Sequence, residues 1–183
     1  GLGYLFIHPE VLQYFAAVGM PVPGSLASIR MPLMFDPGER WEYSVSTDWV
    51  GRAVEAVTGE RLGAYMAREV FTPLGMTQTA FRDALPEGAA RVHTRLPGGG
   101  FKVEPMFLGG GEFDAGGGGL TSTAPDYARF VQMMLRGGEL GGNRLLQADT
   151  VAEMARNQVA PLRAGAMGSA MPALAQPYDT FPD

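Results

Sequence analysis

Trp41-Glu42-Tyr43-Ser44-Val45-Ser46-Thr47-Asp48-Trp49-Val50-Gly51, continuing as Arg52-Ala53-Val54-Glu55-Ala56-Val57-Thr58-Gly59, is the stretch whose reading decides the fold. It follows the turn Asp36-Pro37-Gly38-Glu39-Arg40, where the proline presets φ and the glycine can take a positive one. Ser46 or Thr47 can cap a helix in which Trp49, Val50, Ala53, Val54 and Val57 recur at spacings of three and four, and Gly59 is placed to end it. The pattern predicts one buried apolar stripe. Tyr43 is thereby held on a loop at the start of a rigid element, which is where chemically active side chains tend to sit.

Working outward, residues 9–18 read as a short helix that opens on Pro9 and stops at Gly19, with Val11, Tyr14, Phe15 and Val18 on one face. Ser25 can cap a second short helix reaching about Met31, after which Pro32 forces extended geometry. After the central helix, residues 60–71 repeat the amphipathic device, Pro73 prevents continuation, and a tight antiparallel helix pair is expected. Thr77, Thr79 and Phe81 alternate as a short strand would. Residues 82–119 carry glycine runs at 98–100, 109–111 and 116–119 and read as loops with short strands around Val92 and Val103.

Thr123-Ala124-Pro125-Asp126 combines a cap, a first-turn proline and an acidic residue three beyond the cap, then Tyr127, Phe130, Val131, Met134 and Leu135 follow in helical register. A last helix is expected over about 148–156. Two parts result: 1–158, a helical portion, and 159–183, an irregular C-terminal segment.

Bulk properties exclude several functions. The 183 residues suffice for one domain, and 26 glycines imply a loop-rich surface. Net charge is -5, and the basic residues, all arginine except Lys102, are scattered, which argues against a nucleic-acid partner. Proline and glycine break every apolar run before the roughly 20 residues of a membrane span. With no cysteine, thiolate metal sites and disulfides are excluded and the thiols say nothing of compartment, leaving cytoplasm and periplasm or exterior both open. Neither terminus has a closing pattern, and both ends look cut.

Motifs narrow the chemistry further. The glycines at 116–119 lack the lysine a phosphate-cradling loop needs. His8 and His93 have no metal-ligand spacing and read as ordinary loop residues, so no metal and no cofactor is expected. G-x-S-x-G is absent, which argues against an α/β-hydrolase triad.

An ordered set of segments carries a resemblance: Gly1-Leu2-Gly3, Pro37-Gly38 with Tyr43-Ser44, Val57-Thr58-Gly59, Pro73-Leu74-Gly75-Met76, residues 117–127 running from Gly117 to Tyr127, and Arg156-Asn157-Gln158. Together they resemble the serine β-lactamase-related superfamily, nearest its class C-like branch of esterases, transesterases and carboxypeptidases. The resemblance implies a β-lactamase/transpeptidase-like α+β parent fold, of which this chain is the mainly helical middle portion. It places the family's tyrosine at Tyr43. There it would act as general base on a reactive serine, because a nearby ammonium favours the phenolate of a group with an ordinary pKa of about 10. Substrate contacts would come from Val45 and from Gly117, Gly118 and Gly119. Val45 offers no side-chain hydrogen bond where β-lactamases proper usually carry asparagine, which tilts the expectation from amide to ester substrates.

The departures are as informative. Lys102 has Gly99 three residues before it, so S-x-x-K is absent, as is a closing K-T-G or H-x-G strand. The chain alone is therefore expected to be inactive, a part of a metal-free serine hydrolase acting on a small-molecule ester or amide through an acyl-enzyme. Two rivals remain. One is a noncatalytic binding or scaffold protein that kept the helical body, and the other is a self-contained helical domain, which would bury its apolar faces. Substrate identity and oligomeric state stay open.

Overall fold

A computed structural model of the chain describes residues 1–104, 111–172 and 177–179. The helices are α1 Pro9–Val18, α2 Ser46–Thr58, α3 Leu62–Met66, α4 Thr72–Leu74, α5 Ala124–Leu135 and α6 Ala148–Met154, with a 3-10 turn at Leu26–Ile29 and a π-helical turn at Ala67–Phe71. Short antiparallel pairs join β1 Ala80–Phe81 to β4 Leu120–Thr121, β2 His93–Arg95 to β3 Phe101–Val103, β5 Glu139–Leu140 to β6 Asn143–Arg144, and β7 Ala166–Met167 to β8 Tyr178–Asp179. The strands expected around Val92 and Val103 are thus one hairpin, whereas the alternation of Thr77, Thr79 and Phe81 yields only β1. Of the glycine run at 109–111, Gly109 and Gly110 lie outside the described residues.

Cap chemistry explains the firmest elements. In α5, Thr123 accepts from the Asp126 N–H with its side chain, as its sequence anticipates. Gly59 takes φ 73° and closes α2, a conformation that costs glycine little. Neither Ser46 nor Thr47 caps α2, contrary to expectation: the helix begins at Ser46 after Val45, and the Ser46 N–H is met by Ser44 Oγ at 3.2 Å. Ser25 likewise spends its hydroxyl on Val22 O rather than on the 3-10 turn. Pro73 does not stop the helical path. It occupies the first turn of α4 just after the π turn, where a missing N–H is tolerated, and Gly75 at φ 67° ends the run.

The predicted stripe on α2 is not the buried one. Asp48, Gly51 and Glu55 face inward, while Val50 is 61% and Val57 87% exposed. Gly51 is why: a Cβ there would stand 2.9 Å from Leu62 and 3.3 Å from the Gly116 backbone, so the helix lies directly on the glycine-rich loop. Polar partners then settle which face turns in. Glu55 accepts the Leu62 N–H at 2.9 Å and Asp114 the Gly63 N–H at 2.8 Å, supplying the first turn of α3 with the acceptors that Arg61, its N-cap residue, does not offer. Arg61 donates to Asp114 at 2.8 Å and completes the knot.

Two apolar clusters form the core. One gathers Phe71, Leu74, Met76 and Met133, with Val70, Phe130 and Leu146 packed against it. The other holds Ile29, Val45 and Phe113 beneath Leu2, Tyr4 and Met31. On α5 the inward residues are Asp126 and Met133, and Tyr127, Val131 and Leu135 form a stripe that is exposed. Residues 159–172 are mostly irregular yet attached: the Ala170 and Met171 N–H groups donate to Phe6 O at 3.0 and 3.1 Å.

Candidate active site

The segment 41–45 bends at Ser44 and Val45 into α2 and leaves Tyr43 44% exposed. Three attachments hold it. The Val45 N–H donates to Gly3 O at 3.3 Å, and the Val45 side chain, 4% exposed, is sunk into the second core cluster. Trp49, one turn into α2, donates from Nε1 to Ile29 O at 3.1 Å, a packing role for the indole. Glu42 pairs with His8 at 3.1 Å and with Arg40 at 3.4 Å.

His8 is not the ordinary loop residue its sequence suggests. It is 7% exposed at the N-terminus of α1. The Tyr4 N–H donates to its Nδ1 at 2.9 Å, which leaves the proton of the neutral ring on Nε2, facing Glu42 Oε1. This histidine–carboxylate contact fastens the 1–8 segment to the 41–45 segment. His93 sits exposed on β2, with its ring edge-on to Phe101.

Tyr4 is the neighbour that sequence reasoning missed. Its ring centroid lies 5.0 Å from that of Tyr43 and 4.8 Å from that of Phe6. Burial, reinforced by the Asp48 carboxylate and by Tyr43, pushes the Tyr4 phenol up to about 12, so it stays a protonated donor across the neutral range. Asp48 is 5% exposed and accepts the Gly117 N–H at 2.9 Å. A Cβ added to Gly117 would stand 3.2 Å from both the Tyr4 hydroxyl and Asp48 Oδ1.

The structure therefore brings Tyr43 and Gly117 to one corner, through Tyr4 and Asp48. Gly118 is open to solvent, and Gly119, at φ 86°, turns the chain beside Phe81 into β4. Lys102 lies on β3 with its ammonium 3.1 Å from Glu104. Among the described residues no group of three or more His, Asp and Glu side chains is placed to hold a metal ion, and no helix is long and apolar enough to cross a membrane.

The Beta-lactamase family model matches residues 27–178. The chain belongs to the beta-lactamase family. Among curated members of that family, it is 30% identical to Monacolin J acid methylbutanoyltransferase of Aspergillus terreus over 88% of this chain and 40% of that protein. It is also 30% identical to Lovastatin esterase of Penicillium rubens, over 99% of this chain and 47% of that protein. A structure of Simvastatin Synthase from Aspergillus terreus superposes with a TM-score of 0.73 at 30% identity, covering 88% of this chain and 39% of that one. The β-lactamase/transpeptidase-like fold is thus the fold of this chain, which spans less than half the length of those relatives.

Family membership makes the departures concrete. No S-x-x-K occurs in these 183 residues. The signals that could have exposed Tyr4 and Asp48 were present but weak. Tyr4 directly follows Gly1-Leu2-Gly3, and Asp48 follows Ser46 and Thr47 in the polar first turn of α2, where a solvent-facing role is the default.

Proposed function

We propose that this chain is the tyrosine-bearing part of a serine-dependent hydrolase or acyltransferase that works on small carboxylic esters through an acyl-enzyme. In this reading Tyr43 is the general base, taking the proton of a serine hydroxyl that lies in S-x-x-K elsewhere in the parent protein and returning it to the leaving group. The observation that carries the reading is the placement of the Tyr43 ring, half exposed at the start of α2 and beside the Gly117 loop. A phenol in that position can meet a docking serine and ammonium without moving the backbone.

Gly117, Gly118 and Gly119 would line the acyl pocket, where missing side chains let a substrate approach the backbone. Val45, being buried, would serve as the apolar floor beneath Tyr43 rather than as a polar contact, consistent with esters over amides. The names of the relatives, a methylbutanoyltransferase and an esterase, support acyl transfer to an alcohol or to water. The exposed stripes of Val50 and Val57 on α2 and of Tyr127, Val131 and Leu135 on α5 support a parent in which further chain covers them, against a self-contained helical domain.

The test uses p-nitrophenyl butyrate with the full-length parent and with this chain alone. The parent hydrolyses the ester, Tyr43→Phe lowers kcat by roughly 10²–10⁴-fold, the span typical of losing a positioned proton-transfer group, and this chain alone gives the buffer rate. Unaltered turnover in Tyr43→Phe would remove the base assignment. Hydrolysis by the isolated chain would show that the nucleophile had been misplaced.

A further inference from the structure

Several features have no part in the Tyr43 reading: the buried Asp126 network, the exposed β2–β3 hairpin, the His8 and Glu42 pair, and the Tyr4 phenol. Asp126 accepts from Gln78 N and from Thr79 Oγ1 at 2.7 and 2.9 Å and so ties α5 to the segment leading into β1, a structural role. The hairpin is exposed on both faces, and nothing in the structure indicates what would cover it. Tyr4 is different, because it touches the group on which the chemistry is placed.

We propose that Tyr4 is a positioning residue for Tyr43: its ring, stacked on Phe6 on one side and with its hydroxyl end against Gly117, packs beside the reactive phenol and holds it in place. The inference rests on the assignment of Tyr43 as the base and adds the residue that aims it.

Three observations combine. First, the two rings are tilted by 42° with centroids 5.0 Å apart, a packed pair with its own orientation preference. Phe6 stacks on the other side of Tyr4 at 4.8 Å, so Tyr4 is clamped rather than free to swing away. Second, its backbone is held at both polar groups. Its N–H goes to His8 Nδ1 at 2.9 Å, and its carbonyl accepts the His8 and Ile7 N–H groups at 2.9 and 3.1 Å. Third, the hydroxyl end is defined by Gly117, whose Cα has room for no Cβ without crowding the Tyr4 hydroxyl and Asp48 together.

The charged and titratable groups facing Tyr4 are Asp48 from α2, Tyr43 from the preceding loop and His8 from the start of α1. Two of them, Asp48 and Tyr43, act against ionisation of Tyr4, as does burial. Keeping Tyr4 neutral leaves Tyr43 the phenol that exchanges a proton, and no covalent step falls to Tyr4.

The test has two arms on the full-length parent. In the first, wild type, Tyr4→Phe, Tyr4→Leu and Tyr43→Phe are compared in p-nitrophenyl butyrate hydrolysis. Tyr4→Leu should lower kcat by roughly 10- to 100-fold with KM within about twofold, the scale of a small misplacement of a catalytic group. Tyr4→Phe keeps the ring and should recover most of that loss. If Tyr4→Leu turns over like wild type while Tyr43→Phe is dead, the positioning role is overturned and the base assignment survives. If Tyr4→Phe is as dead as Tyr43→Phe, the Tyr4 hydroxyl takes part in proton transfer itself and the positioning role is again overturned. An active Tyr43→Phe would overturn both.

The second arm needs no variant to fold. In protein labelled with [13Cζ]tyrosine, the Tyr4 resonance should keep its neutral-phenol position at pH 10.5, where an ordinary tyrosine is more than half ionised. A Tyr4 signal already shifted to the phenolate position at that pH would overturn the proposal, whatever the kinetics show.

Discussion

Replacing Gly116 by alanine tests whether α2 really rests on the glycine-rich loop, the contact that keeps Tyr43 and Gly117 in one corner. A Cβ on Gly116 would fall inside hard-sphere contact with the Thr47 carbonyl oxygen, at 3.1 Å from the Thr47 carbonyl carbon and 3.2 Å from the Gly51 nitrogen. All three atoms are backbone at the start of α2, so no rotamer change relieves the overlap. Overfilling a packed contact costs about 1–3 kcal/mol, and this case belongs at the upper end because the helix itself must shift. Against it stands the loss of unfolded-chain entropy, which favours alanine by about 0.4–1 kcal/mol. The net is a destabilisation of about 2 kcal/mol, or a melting point lower by roughly 4–8 °C for a chain of this size. Gly118→Ala is the control, since nothing lies within 4 Å of its added carbon and its φ is not positive. It should be neutral or raise stability by up to about 1 kcal/mol. Thermal melts followed by circular dichroism, with urea titrations of all three proteins, give both differences. If Gly116→Ala melts with or above Gly118→Ala, the helix does not lie on the loop as described, and the shared corner is lost with it.

Three further outcomes follow from the same structure. Asp114→Ala should cost about 1.5–3 kcal/mol in urea denaturation, because it strips a charged acceptor from the Gly63 N–H and from Arg61 at once. Met133→Ala, at the most buried side chain of the first core cluster, should cost about 2–5 kcal/mol in the same assay, the range seen for emptying a large apolar site. Stability should be complete below pH 10 and fall as pH rises towards 12, because the folded chain holds the Tyr4 proton more tightly than the unfolded chain, whose phenol loses it near 10. The ceiling on that loss is about 2.7 kcal/mol, reduced to about 1–1.5 kcal/mol by solvent screening of a partly exposed ring, and Tyr4→Phe should flatten that part of the pH–stability curve.

Local chemistry determined much of this protein before any coordinates. The Thr123 cap with Pro125 and Asp126 and the stop at Gly59 are short-range features, set by residues within a few positions of one another, and the short strands around Val92 and Val103 were legible although their pairing was not. The ordered segments from Gly1 to Gln158 were enough for the family, and counting lysines was enough to show that no S-x-x-K occurs in these residues.

Which face of each helix turns inward was decided elsewhere. Apolar periodicity on α2 selects Trp49, Val50, Ala53 and Val57, yet the packed face is Asp48, Gly51 and Glu55. Periodicity identifies a face fit for burial without identifying the surface that will cover it. Two of the partners that chose the other face are remote in sequence, Gly117 for Asp48 and the Gly116 backbone for Gly51, while the Leu62 N–H that meets Glu55 lies just past the end of α2. The same holds for Tyr4, which stands 39 residues before Tyr43 and meets it where the His8–Glu42 contact and the Val45 N–H to Gly3 O bond draw the two segments together. A polar contact across such a distance leaves no period in the chain, since its energy depends on two groups meeting with water excluded, and only the folded arrangement brings them there.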